Sequence, residues 1–129
     1  MTTTTTPIRR LAQVSVNAHE LERAKAFYRD RLGLRHLFSA PAMEFFDLDG
    51  LRVMVALPER AEFDHPSSIL YLDVADIGAA HRELADRGVG FEREPFLVAK
   101  LATTDLWMAF FRDSEGNFLA LQSEIPRRG

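Results

Sequence analysis

The chain carries the same segment twice. Met43-Glu44-Phe45-Phe46 is followed by Asp49-Gly50 and the apolar run Val53-Met54-Val55-Ala56-Leu57, and Met108-Ala109-Phe110-Phe111 is followed by Glu115-Gly116 and Phe118-Leu119-Ala120-Leu121. Upstream of each copy lies a strand-like run, then an amphipathic helical stretch that ends near a glycine. A unit of this length, repeated, cannot bury its apolar face alone, so two copies imply one fold built by pairing them. The surface the copies share is where a site is expected.

Hydrophobic period places the elements. Leu11 to Asn17 alternates, with Val14 and Val16 apolar and Gln13, Ser15 and Asn17 polar, which reads as a half-buried strand. Glu20 to Leu32 puts Leu21, Ala24, Phe27, Tyr28 and Leu32 on one helical stripe, closed by Gly33. Strands are predicted over Leu34–Ser39, Met43–Leu48 and Leu51–Leu57, with Asp49-Gly50 as a hairpin turn. In the second half a strand over Ile69–Val74 precedes a helix from an N-cap at Asp76 to about Arg87, then Gly88. Further strands are predicted over Val89–Phe96, Leu106–Phe111 and Phe118–Gln122. Lys100 to Asp105 reads as a long connection able to close over a ligand, and Ile125 to Gly129 as loose chain.

The predicted fold class is α+β: two paired βαβββ modules forming an open, cupped mixed β-sheet with helices on the outer face. The expected organisation is a disordered tail over 1–7, a first module over 8–60, a linker over 61–67 and a second module over 68–124 within one structural domain.

At 129 residues the chain is large enough to bury a core, and its 47% hydrophobic and 27% charged residues are globular values. A net charge of −3 gives no electrostatic reason to expect nucleic acid or an anionic membrane. Without cysteine, disulfides, thiolate nucleophiles and thiolate metal sites are excluded. No apolar run approaches the roughly 18 residues of a membrane span, and the Thr-rich start lacks the apolar stretch of a signal peptide, so the expected location is cytoplasmic. No phosphate-binding glycine loop or nucleophile elbow occurs.

With these elements in order, the chain resembles the vicinal oxygen chelate superfamily, which includes glyoxalase I, bleomycin-resistance proteins and extradiol dioxygenases. The resemblance rests on Glu20-Leu21-Glu22-Arg23-Ala24 with Phe27-Tyr28-Arg29-Asp30-Arg31-Leu32-Gly33-Leu34, on Val74-Ala75-Asp76-Ile77 and Leu84-Ala85-Asp86-Arg87-Gly88-Val89, and on Phe110-Phe111-Arg112-Asp113-Ser114-Glu115-Gly116-Asn117. It covers about residues 8 to 124. It implies paired modules curled into a cup, and dimerisation. In metal-using relatives four strand positions in the cup supply His, Gln or Glu. Carried over, those positions are Gln13, Met54, Ile69 and Ala120, of which only Gln13 has a donor. Useful metal sites take three or four protein ligands, so no metal and no other cofactor is expected.

Alternation turns Val14, Val16, Val53, Val55, Leu70, Leu72, Leu119 and Leu121 to the helices. Gln13, Ser15, Asn17, Arg52, Met54, Ala56, Ile69, Tyr71, Asp73, Phe118, Ala120 and Gln122 then face the cup. The mixture of apolar area, amide and hydroxyl groups suits a small-molecule pocket. Each residue also has a plainer role: the polar side chains of β-strand faces are often simply wet, Arg52 and Asp73 suit a structural ion pair, and Tyr71 suits an amphipathic wall. Trp107 is expected to pack or to meet another subunit, and Phe110 and Phe111 to lie in the core. His19, His36, His65 and His81 fall outside the ligand positions and are read as surface or edge residues, His81 as solvated.

Two functional readings stand. In the first, a metal-free cup in a homodimer binds a small organic ligand, apolar or planar, as in bleomycin-resistance proteins. In the second, the protein is a lyase, isomerase or dioxygenase of the same superfamily, metal-dependent or using Tyr71 and Asp73 as acid–base groups. Catalytic residues are not assigned. A purely structural role ranks third.

Overall fold

The computed structural model describes residues 6–128; residues 1–5 of the expected tail and Gly129 lie outside the described residues. The element order is βαβββ twice. The first module has β1 (Gln13–Asn17), helix α1 (Leu21–Ala26, continuing as a wider turn over Phe27–Arg31), β2 (Arg35–Ala40), β3 (Met43–Leu48) and β4 (Leu51–Ala56). The second has β5 (Leu70–Asp73), α2 (Ile77–Asp86), β6 (Phe96–Lys100), β7 (Thr104–Arg112) and β8 (Phe118–Pro126). Each module folds into a four-stranded mixed sheet, ordered β1-β4-β3-β2 and β5-β8-β7-β6, with β1 parallel to β4 and β5 parallel to β8. The α+β class and the repeat follow the sequence reading.

Local chemistry explains the boundaries. The Asp49-Gly50 turn has φ of 50° and 90°, the doubly left-handed geometry of a tight hairpin. Asp76 caps α2, its Oδ1 accepting from the Ala79 amide at 3.0 Å. In α1 the Leu32 amide donates to the Phe27 carbonyl five residues back (3.0 Å), and this widened turn carries both Phe27 and Tyr28 inward. Gly33 ends the helix at φ 77°, where an added Cβ would stand 3.0 Å from Arg87 Nη1. Gly33→Ala is therefore expected to lower stability by about 1–2 kcal/mol, read as a fall in the urea midpoint at unchanged m-value.

One core serves both modules. Val16, Phe46, Val53 and Val55 pack with Ala24, Phe27 and Tyr28, and this cluster is continuous with Ile77, Ala109, Phe111, Leu119 and Leu121; Val14, Leu70, Leu72 and Trp107 close its margin.

Three local expectations are corrected. The strand expected over Val89–Phe96 starts only at Phe96. Val89 is buried in the core, Phe91 makes a lone bridge to Phe111, and Pro95, which has no amide to give a ladder, stands just before the strand. The expected long connection over Lys100 to Asp105 is a tight hairpin between β6 and β7, closed by the Leu101 amide on the Thr104 carbonyl at 2.8 Å. The stretch expected to be loose from Ile125 is paired up to Pro126. Arg127 beyond it holds the hairpin, donating to the carbonyls of Leu101, Ala102 and Thr104 and to Asp105.

Candidate functional site

The register of the first sheet gathers one face. Ser15 stands beside Met54, Asn17 beside Ala56, and Ala56 beside Met43 across the next ladder. These side chains floor a cavity of about 640 Å³. Its walls come from Pro41 and Ala42 at the β2–β3 turn, from Leu57 and Pro58 leaving β4, and from the linker residues Phe63, His65, Ser67 and Ser68.

The linker is tied down at several points. The Asn17 amide donates to Ser67 Oγ (2.8 Å), the Ser67 amide donates to Asn117 Oδ1 (3.2 Å), and Asn117 Nδ2 donates to the Asn17 carbonyl (2.8 Å). Asp64 accepts from Asn17 Nδ2 at 3.2 Å and from His19. The hydrogen bonds from His19 and Asn17 hold the Asp64 carboxyl below its ordinary range. The cavity is thus a sheet face with a fastened side wall, apolar through Met43, Met54, Leu57 and Phe63 and polar through Ser15, Asn17, Ser67 and Ser68.

The residues expected in the cup are distributed over two faces. Ser15, Asn17, Met54 and Ala56 line the cavity. Gln13 and Arg52 lie on the same sheet face outside it, bonded to each other through Arg52 Nε on Gln13 Oε1 (2.9 Å). Arg52 also lies 5.5 Å from the Phe45 ring centre and 6.0 Å from that of Phe38, and the two rings stack at 4.4 Å. Tyr71, Asp73, Ala120 and Gln122 share the corresponding face of the second sheet, with Tyr71 beside Ala120 and Asp73 beside Gln122, Phe118 next along β8 and Ile69 just before β5. None of these lines the cavity. Ile69 and Tyr71 are 42% and 48% exposed, and Tyr71 meets Phe110 edge-on. Arg52 and Asp73 are not paired with each other.

Sequence reading missed the linker wall and Met43. Alternation along β3 points to Met43, and Phe63, a lone aromatic in an otherwise polar linker, was the available sign for the wall. The reading of His81 as solvated is corrected: its side chain is 13% exposed, the ring packs 4.3 Å from that of Phe91, and Nε2 is buried without a hydrogen-bond partner. His36 is tied by Nε2 to Glu44 Oε1 (2.7 Å), which also accepts from Ser39 Oγ (2.6 Å), on the helix side of the first sheet. Burial works against the Glu44 charge, but the bonds from Ser39 and His36 and the nearby Lys25 outweigh it and hold the carboxyl below its ordinary range.

The four cup positions do not form a metal-binding set. The Gln13 carbonyl oxygen is taken by Arg52, its amide nitrogen lies 3.8 Å from Met54 Sδ, and Ile69 and Ala120 have no donor atoms. Among the described residues no group of three or more His, Asp or Glu is placed to hold a metal ion.

Comparison with known proteins agrees with this architecture. The family model described as Glyoxalase/Bleomycin resistance protein/Dioxygenase superfamily matches residues 10–121, and the chain belongs to that superfamily. No curated protein matches it significantly in sequence. Among solved structures, a member of the same superfamily from Sphaerobacter thermophilus is similar with a TM-score of 0.77 at 23% identity, covering 91% of this chain and 98% of that one. A lactoylglutathione lyase from Agrobacterium tumefaciens has a TM-score of 0.74 at 17% identity, with 92% and 96% covered. A glyoxalase/bleomycin resistance protein/dioxygenase from Nocardioides has a TM-score of 0.73 at 18% identity, with 97% and 93% covered. At these identities the likeness is one of fold, and this fold hosts many chemistries.

Proposed function

We propose that the chain is a small-molecule-binding protein that takes an apolar or planar organic ligand, without a metal, in the cavity against the first sheet. The observation that carries this is the lining. Two thioethers and a phenyl ring offer adaptable apolar contact, while hydroxyl and amide groups of Ser15, Asn17, Ser67 and Ser68 give a few directional bonds. The volume suits a drug-sized molecule. The donor-poor cup positions support a ligand held without metal coordination.

A homodimer accompanies this reading. Ile69 and Tyr71 leave apolar area open on the second sheet, and a second copy laid over that face completes the cup. A cytoplasmic location also goes with it. No helix among the described residues is long and apolar enough to cross a membrane. The acid–base reading has less support, because Tyr71 and Asp73 do not line the cavity and among the described residues the Tyr71 hydroxyl has no side-chain hydrogen-bond partner.

The test is a fluorescence titration with N-phenyl-1-naphthylamine, a neutral planar probe, on untagged protein with and without EDTA. One saturable site per chain is expected, indifferent to chelator. Ser15→Trp, which fills the cavity floor from an exposed strand position, is expected to weaken binding at least about tenfold while the melting temperature holds. Stoichiometric bound metal, or probe binding lost on chelation, overturns the reading.

A further inference from the structure

The linker that walls the cavity is fastened near its two ends. Where it leaves β4, the Leu57 amide donates to the Ala42 carbonyl at 3.0 Å. The next bonds back to the sheet and its turn are those of Asp64, which accepts from Asn17 Nδ2 at 3.2 Å and from His19 Nε2. Between these points, among the described residues, 58–63 make hydrogen bonds only within the linker. The Phe63 amide donates to the Arg60 carbonyl and the Asp64 amide to the Ala61 carbonyl, while Arg60 pairs with Glu62 and lies over the Phe63 ring. Pro58, Glu59 and Phe63 of this stretch nevertheless line the cavity. We propose that residues 58–63 are a strap over the cavity, clasped by Asp64 on Asn17 and His19, and that ligand exchange proceeds by release of the clasp, a role that rests on the cavity being a ligand site.

The two sides of the clasp are held differently. The Asn17 amide donates to Ser67 Oγ, its carbonyl accepts from Asn117 Nδ2, and the His19 amide donates to Glu115 Oε1 at 3.0 Å. The donor side is therefore bolted to the second module. Asp64 has only its own turn behind it, and residues 59–66 are all exposed. A segment with exposed backbone and few outside bonds opens locally while the core stays folded.

The clasp is itself exposed, the His19 and Asp64 side chains by 62% and 45%. Pairs in that setting shift an equilibrium by a factor of only about two to five. That biases the strap shut and still lets it release. Phe63 lines the cavity and is 45% exposed, so an apolar ligand beneath it removes more of that ring from water and favours the closed strap.

Asp64 and His19 do not line the cavity, so replacing either removes no ligand contact. Dilute trypsin cuts after Arg60, within the strap, in proportion to the opened fraction. Asp64→Ala and His19→Ala are each expected to raise that cleavage at least about twofold with the melting temperature unchanged. Saturating N-phenyl-1-naphthylamine is expected to slow it in the unsubstituted protein. In stopped-flow fluorescence with the same probe, association and dissociation are both expected to quicken at least about twofold in Asp64→Ala, with Kd moving less than either rate. Cleavage at Arg60 unchanged in both variants, or exchange rates unchanged in a protein that binds the probe, overturns the strap alone. Absence of saturable probe binding overturns the ligand site and, with it, the role of the strap in exchange.

Discussion

Asp113→Ala is expected to destabilise the protein by about 3–5 kcal/mol, the largest effect of any single polar substitution considered. Asp113 is 6% exposed and its carboxylate answers four donors at once: the Tyr28 hydroxyl at 2.7 Å, the amides of Glu115 and Asn117, and Asn117 Nδ2. Removing it leaves a phenol that is 1% exposed without its acceptor and opens the turn that Asp113 shapes. Burial, then the Asp113 charge, push the Tyr28 phenol well above its ordinary range, so it stays protonated and donating throughout the stable pH range. Tyr28→Phe removes one of the four donors and is expected to cost about 1–2 kcal/mol. Urea unfolding of both variants checks the pair. A cost under about 1 kcal/mol for Asp113→Ala would show that the seam between modules is held by apolar packing alone.

The second large effect is one of pH. Glu115, from the last turn of the second module, accepts from the backbone amides of His19 and Glu20 at 3.0 Å each and from Arg23 and Ser114. It does for α1 what an N-cap side chain does, since Glu20 makes no such bond itself. Burial alone would raise its pKa, but the bonds from Arg23, the two amides and Ser114 bring it down to about 2 from an ordinary 4.5. Its side chain is 2% exposed, so the interaction is poorly screened. The folded value is the depressed one. Its contribution is therefore complete above pH 4.5 and is lost as pH falls towards 2. The gap corresponds to roughly 3 kcal/mol. Glu115→Gln is expected to lose most of that at pH 7 and to flatten the acid limb of the stability profile between those values. An unchanged acid limb in Glu115→Gln would transfer the effect to other carboxylates.

The strands and the outline of both helices were legible because each obeys a period. Val14 and Val16, or Leu119 and Leu121, announce a buried face two residues at a time, and Asp49-Gly50 announces its turn locally. What was not legible is non-local. Nothing in Glu115 marks it as the cap of a helix 95 residues earlier. The widened turn at Phe27–Arg31 leaves the apolar stripe almost unaltered, so spacing alone reads as an unbroken helix. The strand over Phe96–Lys100 was misplaced because Leu97 and Val98 are both exposed and a bulge between Leu97 and Ala99 breaks the alternation. In the candidate cavity the floor was visible in β1 and β4, whereas the wall depends on where the linker is fastened, which Asn17, Asp64, Ser67 and Asn117 decide together.

The two matching turns of the repeat have unequal freedom. Among the described residues the Asp49-Gly50 turn makes no hydrogen bond to the second module, whereas the turn at Ser114 to Asn117 is bound to α1 and to β1. The repeat supplies two corresponding hairpin tips, a short one at Asp49-Gly50 and a longer one at Asp113 to Asn117, and docking uses the longer. The first is accordingly the place where this chain can accept extra residues, a label or even new termini, while the same operation at the second would detach the opposite half.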